Sequence, residues 1–131
     1  MQLTQEKLAL QTDLIAKEMI TIENELVNII AKSDKLKSLF YSGKRLRPKL
    51  VVLSGLCFSS LNKNMVYTAI AAELIHTASL VHDDIIDRSD YRRNMPTINY
   101  TSGNHVAVLA GDFLFAKAFE ILSKNNLTKS M

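Results

Sequence analysis

Apolar side chains near the amino terminus recur at the spacing of one face of an α-helix. Between residues 3 and 31 they are separated mostly by three, four or seven positions: Leu8, Ile15, Met19, Ile22, Leu26, Ile29 and Ile30. This spacing predicts a long amphipathic helix. Because only 4 Gly and 2 Pro interrupt the chain and no alternating β-branched runs occur, we predict an all-α fold, an antiparallel bundle of about four to five helices.

Shorter signals divide the rest of the chain. Residues 36–40 predict a short helix, and residues 50–61 predict another one after Pro48. Asn64 is a suitable cap for a long helix over residues 65–88. Residues 89–104 predict a loop long enough to carry function.

The last helix is predicted over residues 105–124. Its expected buried positions are apolar or small: Val106, Leu109, Ala110, Phe113, Ala116 and Ile121. Asp112 interrupts this run, and we expect it to be exposed, the alternative being a polar partner for a neighbouring helix.

Length and composition predict a single helical domain spanning residues 1–131. Of these residues 47% are hydrophobic and 22% charged, which suits one domain with its own core. The formal net charge of +3 is too small to predict a nucleic-acid partner. We expect no transmembrane segment and a cytoplasmic location. The single Cys57 is expected to pack in the core, which fits a reducing compartment.

Three carboxylates lie close together near the end of the long predicted helix. At about 100° per residue, Asp83 and Asp87 share a face with His76, while Asp84 is rotated roughly 80° aside. Clustered carboxylates repel one another unless a cation neutralises them, and oxygen ligands favour Mg²⁺ with a phosphorylated substrate. His76 lies about 10 Å below Asp83, too far to share one ion, so it needs an anion of its own.

Two basic segments flank this acidic motif. Seven basic residues stand between Lys32 and Lys49 against one acid, Asp34. Pro48 suits the first turn of a helix and biases Arg47 toward an extended backbone. The cations Lys44, Arg45 and Arg47 then surround a helix amino terminus that already favours anions. Arg92 and Arg93 follow the acidic motif and are suited to clamp phosphate oxygens.

Each feature also has a structural interpretation. The aspartates suit a solvated surface, His76 a hydrogen-bonded core position, and the arginines plain surface charge. The small residues of the long helix permit either close helix packing or an open space beside the carboxylates: Ala69, Ala71, Ala72, Ala78 and Ser79.

Four motifs in this order resemble the amino-terminal half of the trans-isoprenyl diphosphate synthases, the polyprenyl synthetase family. They are Gly-Lys-Arg-Leu-Arg-Pro at 43–48, Asp-Asp-Ile-Ile-Asp at 83–87 with His76 ahead of it, Arg92-Arg93, and Ala-Gly-Asp-Phe at 110–113. The resemblance implies a partial isoprenoid synthase fold. It also implies a Mg²⁺-dependent prenyltransferase that condenses an allylic diphosphate with isopentenyl diphosphate.

By position, the resemblance assigns a role to each motif residue. Asp83, Asp84 and Asp87 resemble the Mg²⁺ ligands, and Arg92 an allylic diphosphate contact. The isopentenyl diphosphate site would use Lys44, Arg47, His76 and Arg93, with Arg45 beside them. In this family, bulky residues four and five positions before the first aspartate stop chain growth. Ser79 and Ala78 stand there and imply a medium- or long-chain product.

The chain departs from the family in length. Family members are much longer, and their second aspartate-rich motif comes later, whereas Glu120 is the only acid after Asp112 here. We therefore expect an amino-terminal portion, inactive alone, that works as a homodimer or with a complementing carboxy-terminal half. Two alternatives are a non-catalytic helical subunit of a heteromeric prenyl synthase and a helical metal-dependent hydrolase.

Overall fold

The computed structural model describes residues 2–31, 33–40 and 43–127. Its six α-helices are α1 Gln2–Ile30, α2 Asp34–Phe40, α3 Leu46–Leu56, α4 Lys63–Ile86, α5 Ile98–Ser102 and α6 Asn104–Lys124. Two short antiparallel strands, β1 Tyr91–Arg92 and β2 Met95–Pro96, lie between α4 and α5. The all-α prediction is confirmed, although residues 89–104 form a hairpin and a short helix instead of a plain loop. No described helix is both long and apolar enough to cross a membrane.

Helix α4 is the centre of the bundle and packs against α6, α3 and α1. Its Ile70 and Leu74 meet Ile22 and Leu26 of α1 and Leu114 of α6 in one buried core. Three of its alanines are also buried there: Ala69, Ala71 and Ala78. For those three positions, close helix packing is the correct alternative, because a small side chain lets a neighbouring backbone approach.

The bounds of α3 and α4 differ from the prediction. Helix α3 begins at Leu46 and ends at Leu56, so Pro48 is in the first turn as expected, but Arg47 is helical and not extended. The cap of α4 is Asn62, not Asn64. Asn62 has an extended backbone, and its side-chain oxygen accepts the N–H groups of Asn64 and Met65 at 3.0 and 3.2 Å. The residue just outside the helix is thus the one that satisfies its free donors.

Several burial predictions are wrong. Helix α6 buries Ala107, Gly111, Leu114, Ala118 and Leu122, a stripe offset from the predicted one. Three of the predicted core residues of α6 are exposed, namely Val106, Leu109 and Phe113, whereas Ala110 and Ile121 are partly buried against the core. Leu8 is 65% exposed on the amino-terminal part of α1.

Two predictions about single residues have opposite outcomes. Cys57 is exposed, not buried, and it lies in the turn that follows the last residue of α3. Asp112 is exposed as predicted, with 62% of its side chain accessible.

Candidate functional site

Basic side chains from three segments of the chain line one cavity of about 440 Å³, and Arg45 is among them. Lys44 and Arg47 come from the start of α3, His76 from the middle of α4, and Arg93 from the turn of the hairpin. We call this cavity the basic pocket. Its walls also contain the acidic side chain of Glu73, which the sequence analysis did not single out.

The hairpin turn places Arg93 at the pocket through an uncommon backbone conformation. Arg93 and Asn94 have φ values of 49° and 62° and connect the paired residues Arg92 and Met95. Positive φ at both central residues is the geometry of a type I′ turn, which matches the twist of paired strands. This conformation is sterically unfavourable for a non-glycine residue, and the turn that contains it brings Arg93 to the wall of the basic pocket.

The positive charges around the basic pocket affect the pKa of His76. Burial, together with the charges of Arg47, Arg93 and Arg92, lowers the pKa of His76 below its usual 6.5, and Asp83 opposes this effect. At neutral pH the imidazole is therefore uncharged, and it can donate a hydrogen bond to an anion without adding to the crowding of positive charge.

The guanidinium of Arg45 is held by other groups of the protein. Its side chain is 8% exposed and makes a bidentate ion pair with Glu23, with N–O distances of 2.7 and 2.8 Å. The same guanidinium donates to the backbone oxygen of Phe40 at 2.6 Å. Arg45 therefore lines the pocket while its guanidinium is held by other groups of the protein, and its contact with a substrate stays a prediction.

The acidic motif lies at the carboxyl end of α4, and its three aspartates are not equivalent. Asp83 and Asp87 are exposed, whereas Asp84 is buried. Asp84 accepts three hydrogen bonds from Arg92, with distances of 2.8, 3.1 and 3.1 Å. This ion pair raises the pKa of Arg92. Arg92 thus occupies the carboxylate of Asp84 in this structure, and a metal role for Asp84 stays a prediction.

The other two aspartates, Asp83 and Asp87, are suited to bind Mg²⁺. Their carboxylates are exposed and one helical turn apart, and hard oxygen ligands of this kind suit Mg²⁺ together with water and substrate phosphate. Among the described residues no group of three or more His, Cys, Asp or Glu is arranged to hold a metal. A metal bound here would thus need ligands from its substrate.

The acidic and basic motifs are neighbours. A small cavity of about 50 Å³, lined by Asp84 and Arg92, lies beside the basic pocket. The two cavities share four wall residues: Leu39, Thr77, Leu80 and Arg93. The predicted chain-length residues Ala78 and Ser79 line neither of these two cavities. Ala78 is buried in the core, and the hydroxyl of Ser79 donates to the backbone oxygen of His76 at 2.7 Å.

Comparison with known proteins identifies the family of this chain. The sequence pattern described as polyprenyl synthetase matches residues 32–131. The chain belongs to the polyprenyl synthetase family. A short chain isoprenyl diphosphate synthase from Methanocaldococcus jannaschii is 43% identical over 79% of this chain and 33% of its own length. An octaprenyl diphosphate synthase from Haemophilus influenzae is 43% identical over 63% of this chain and 25% of its own length.

Solved structures of family members share the fold. A decaprenyl diphosphate synthase from Rhodobacter capsulatus has a TM-score of 0.78 at 31% identity, over 87% of this chain and 37% of that one. A geranyltranstransferase from Thermotoga maritima has a TM-score of 0.77 at 35% identity, over 88% of this chain and 47% of that one. The chain thus spans less than half of these structures and about a quarter to a third of its curated relatives.

Two residues of the site escaped the sequence analysis. Glu73 is an acid inside the apolar part of α4, and that contrast with its neighbours was the available signal. Gly43 was noted only as the first residue of the Gly-Lys-Arg-Leu-Arg-Pro motif, although a Cβ atom there would meet the guanidinium of Arg45. Neither role follows from spacing, because both depend on where the side chain of Arg45 turns.

Proposed function

We propose that this chain forms one part of a Mg²⁺-dependent prenyltransferase centre, which condenses an allylic diphosphate with isopentenyl diphosphate. The observation that supports this proposal is the convergence of Lys44, Arg47, His76 and Arg93 on one pocket. A second cavity, lined by Asp84 and Arg92 at the acidic end of α4, shares four wall residues with that pocket. Two pyrophosphate groups need such an arrangement in order to lie side by side.

Different residues bind the two substrates. Lys44, Arg47, His76 and Arg93 hold the diphosphate of isopentenyl diphosphate through charge-assisted hydrogen bonds. Asp83 and Asp87 hold Mg²⁺, and Arg92 faces the allylic diphosphate from its place beside Asp84. When bound, Mg²⁺ neutralises the charge that develops on the departing diphosphate.

No side chain has to act as a nucleophile in this reaction. The allylic C–O bond breaks and pyrophosphate leaves, the isopentenyl double bond attacks the allylic carbon, and a proton is lost from the product. The chain contributes by orienting the two substrates and by placing positive charge around both diphosphates. Ser79 and Ala78 are small, and we propose that they permit a medium- or long-chain product.

Titration calorimetry with isopentenyl diphosphate tests the pocket. We expect Arg47→Ala to weaken binding at least about tenfold, because a bidentate contact to phosphate is lost. Lys49→Ala is the matched control, since it removes one charge from an exposed position of the same helix. Equal effects of the two substitutions would show that only overall charge matters and would refute the assignment of this pocket.

A second titration tests the metal. With farnesyl diphosphate, we expect affinity to rise on addition of Mg²⁺ in the unaltered chain and in Lys49→Ala. The rise should disappear in Asp83→Ala and Asp87→Ala, because the carboxylates that hold the ion are removed. A rise that persists in both aspartate variants would contradict the metal role.

Exposed apolar side chains favour a second candidate, a helical subunit that associates with another chain. Leu50, Phe58 and Leu109 are 62%, 91% and 68% exposed, and one relative is a heptaprenyl diphosphate synthase component 2 from Bacillus subtilis. We propose either a homodimer or a complex with a complementing carboxy-terminal half. Light scattering distinguishes them, since a homodimer gives twice the mass of the chain without any partner.

A further inference from the structure

Arg45 occupies a strained position in the turn that precedes α3. It is the residue before the first turn of α3, with φ 52° and ψ 38°, and its side chain makes no capping hydrogen bond to the helix. For a non-glycine residue this left-handed conformation costs roughly 1–2 kcal/mol. Other contacts of Arg45 must compensate, and Lys44 and Arg47 on either side take their directions from the same turn.

The compensating contacts join three helices through one guanidinium. Besides Glu23 of α1 and the backbone oxygen of Phe40 in α2, Nη1 lies 3.6 Å from Oε1 of Glu73 in α4. The guanidinium also lies over the Phe40 ring, 5.4 Å from its centroid. The turn is therefore fixed relative to α1, α2 and α4 by a single side chain.

Gly43 leaves room for this guanidinium. A Cβ atom at Gly43 would lie 2.1 Å from Nη1 of Arg45 and 3.3 Å from its Cζ. Atoms that are not bonded cannot approach so closely, so any larger residue at 43 has to displace the Arg45 side chain.

Glu73 is the unexpected member of this group. Its side chain is 8% exposed and lines the basic pocket together with the cations. Burial raises the pKa of Glu73, while Arg45 and Arg47 oppose that effect. A carboxylate at this place repels any anion in the pocket. Its presence is explained if it holds a neighbouring cation in place.

We propose that Glu73 and Arg45 are positioning residues that hold the turn before α3, so that Lys44 and Arg47 face a bound diphosphate. This inference rests on the proposed function, because it assumes that the basic pocket binds a diphosphate. Glu73 acts through Arg45, and Gly43 provides the space in which the two side chains meet.

The substitution Glu73→Gln tests whether Glu73 positions the turn or only adds a negative charge to the pocket. The two roles predict opposite changes in the affinity for pyrophosphate. If Glu73 were a bystander, Glu73→Gln would remove repulsion and strengthen the binding of inorganic pyrophosphate. If it positions the turn, the same substitution weakens binding, and we expect about fivefold or more from the loss of well-directed contacts. Glu25→Gln, an equal charge change at an exposed position of α1, is the control and should change affinity by less than about twofold.

Gly43→Ala gives a second test without any change of charge. We expect it to weaken pyrophosphate binding as well, because the added methyl group displaces the Arg45 guanidinium. All titrations are made at a temperature at which thermal melts show every variant folded, so that lost stability does not appear as lost affinity.

The outcomes distinguish the two proposals. If the unaltered chain shows no saturable pyrophosphate binding, the proposed function fails and the inference fails with it. If the unaltered chain binds while Glu73→Gln binds equally or more tightly, only the positioning role is refuted. Weaker binding in both Glu73→Gln and Gly43→Ala, with Glu25→Gln unchanged, supports it.

Discussion

We expect His76 to make the affinity of the basic pocket for a diphosphate depend on pH. In the free chain its pKa lies below 6.5 because of burial and the charges of Arg47, Arg93 and Arg92. A bound diphosphate adds negative charge nearby and raises that pKa. Between the bound and free pKa values, binding therefore takes up a proton, and affinity increases as the pH falls through this window. Below the free pKa the increase from His76 levels off.

Proton uptake can be measured by calorimetry of pyrophosphate binding in two buffers with different ionisation enthalpies. We expect uptake at pH values above the lowered pKa of His76 in the free chain, in addition to the protonation of pyrophosphate itself. His76→Gln should lose the histidine contribution, whereas His105→Gln, at an exposed position on α6, should keep it. Equal proton uptake in the unaltered chain and in His76→Gln would contradict the prediction.

The three aspartates of the acidic motif are expected to differ in their effect on stability. Asp84→Asn weakens the bidentate pair with Arg92 at a buried site, and we expect it to lower the free energy of unfolding by about 1–3 kcal/mol. Asp83→Asn and Asp87→Asn change exposed carboxylates and should stay within about 0.5 kcal/mol. Urea unfolding measures all three. If Asp84→Asn were as stable as the unaltered chain, Asp84 would be available as a metal ligand.

At the scale of helices, α4 and α6 meet closely at Gly111 and His82. A Cβ atom at Gly111 would lie 2.2 Å from Nε2 of His82. That nitrogen is 3.2 Å from the backbone oxygen of Val108 and 3.6 Å from Oδ1 of Asp112. The glycine therefore allows the imidazole to lie against the backbone of α6.

Gly111→Ala should accordingly destabilise the chain by about 1–3 kcal/mol, because the added methyl group displaces His82. In a His82→Ala background the clash is absent, and the same substitution should stabilise by up to about 1 kcal/mol through helix propensity. A double-mutant cycle by urea unfolding measures this change of sign. Equal effects of Gly111→Ala in both backgrounds would show that the contact does not matter.

Sequence periodicity predicted where the helices lie better than which side they bury. Helix α1 agrees closely with its predicted range because its apolar spacing is regular. On α6, large apolar residues such as Leu109 and Phe113 surround small ones such as Gly111, and hydrophobicity favoured the large residues. The interface selected the small ones, because the close approach of two helices depends on shape.

The same limit applies to the candidate site. The spacing placed Asp84 away from the face of Asp83 and Asp87, as the structure does, but could not show that Arg92 would pair with it. Arg45 carries the same kind of charge as Lys44 and Arg47 in the sequence. Its left-handed backbone turns it inward toward Glu23, and no pattern of residue types predicts that conformation for an arginine.

For the whole molecule, the acidic residues decide what the chain can do alone. The chain spans about a third of the length of a curated relative, and Glu120 is the one acid that follows Asp112. In the structure Glu120 pairs with Lys117 and Lys124, which lower its pKa to about 2. Glu120 is thus a single carboxylate already paired with two lysines, and the described residues after Asp112 offer no second carboxylate cluster.

We therefore expect the purified chain to bind isopentenyl diphosphate but to form no prenyl product alone. The measurement is incubation with labelled isopentenyl diphosphate, farnesyl diphosphate and Mg²⁺, followed by extraction of labelled lipid. Adding a family polypeptide that carries a second acidic motif should restore product, and Asp83→Ala should abolish it again, because Mg²⁺ held by both carboxylate clusters would neutralise the departing diphosphate. Product from the chain alone would show that Asp83 and Asp87 suffice, since Glu120 is held by its two lysines.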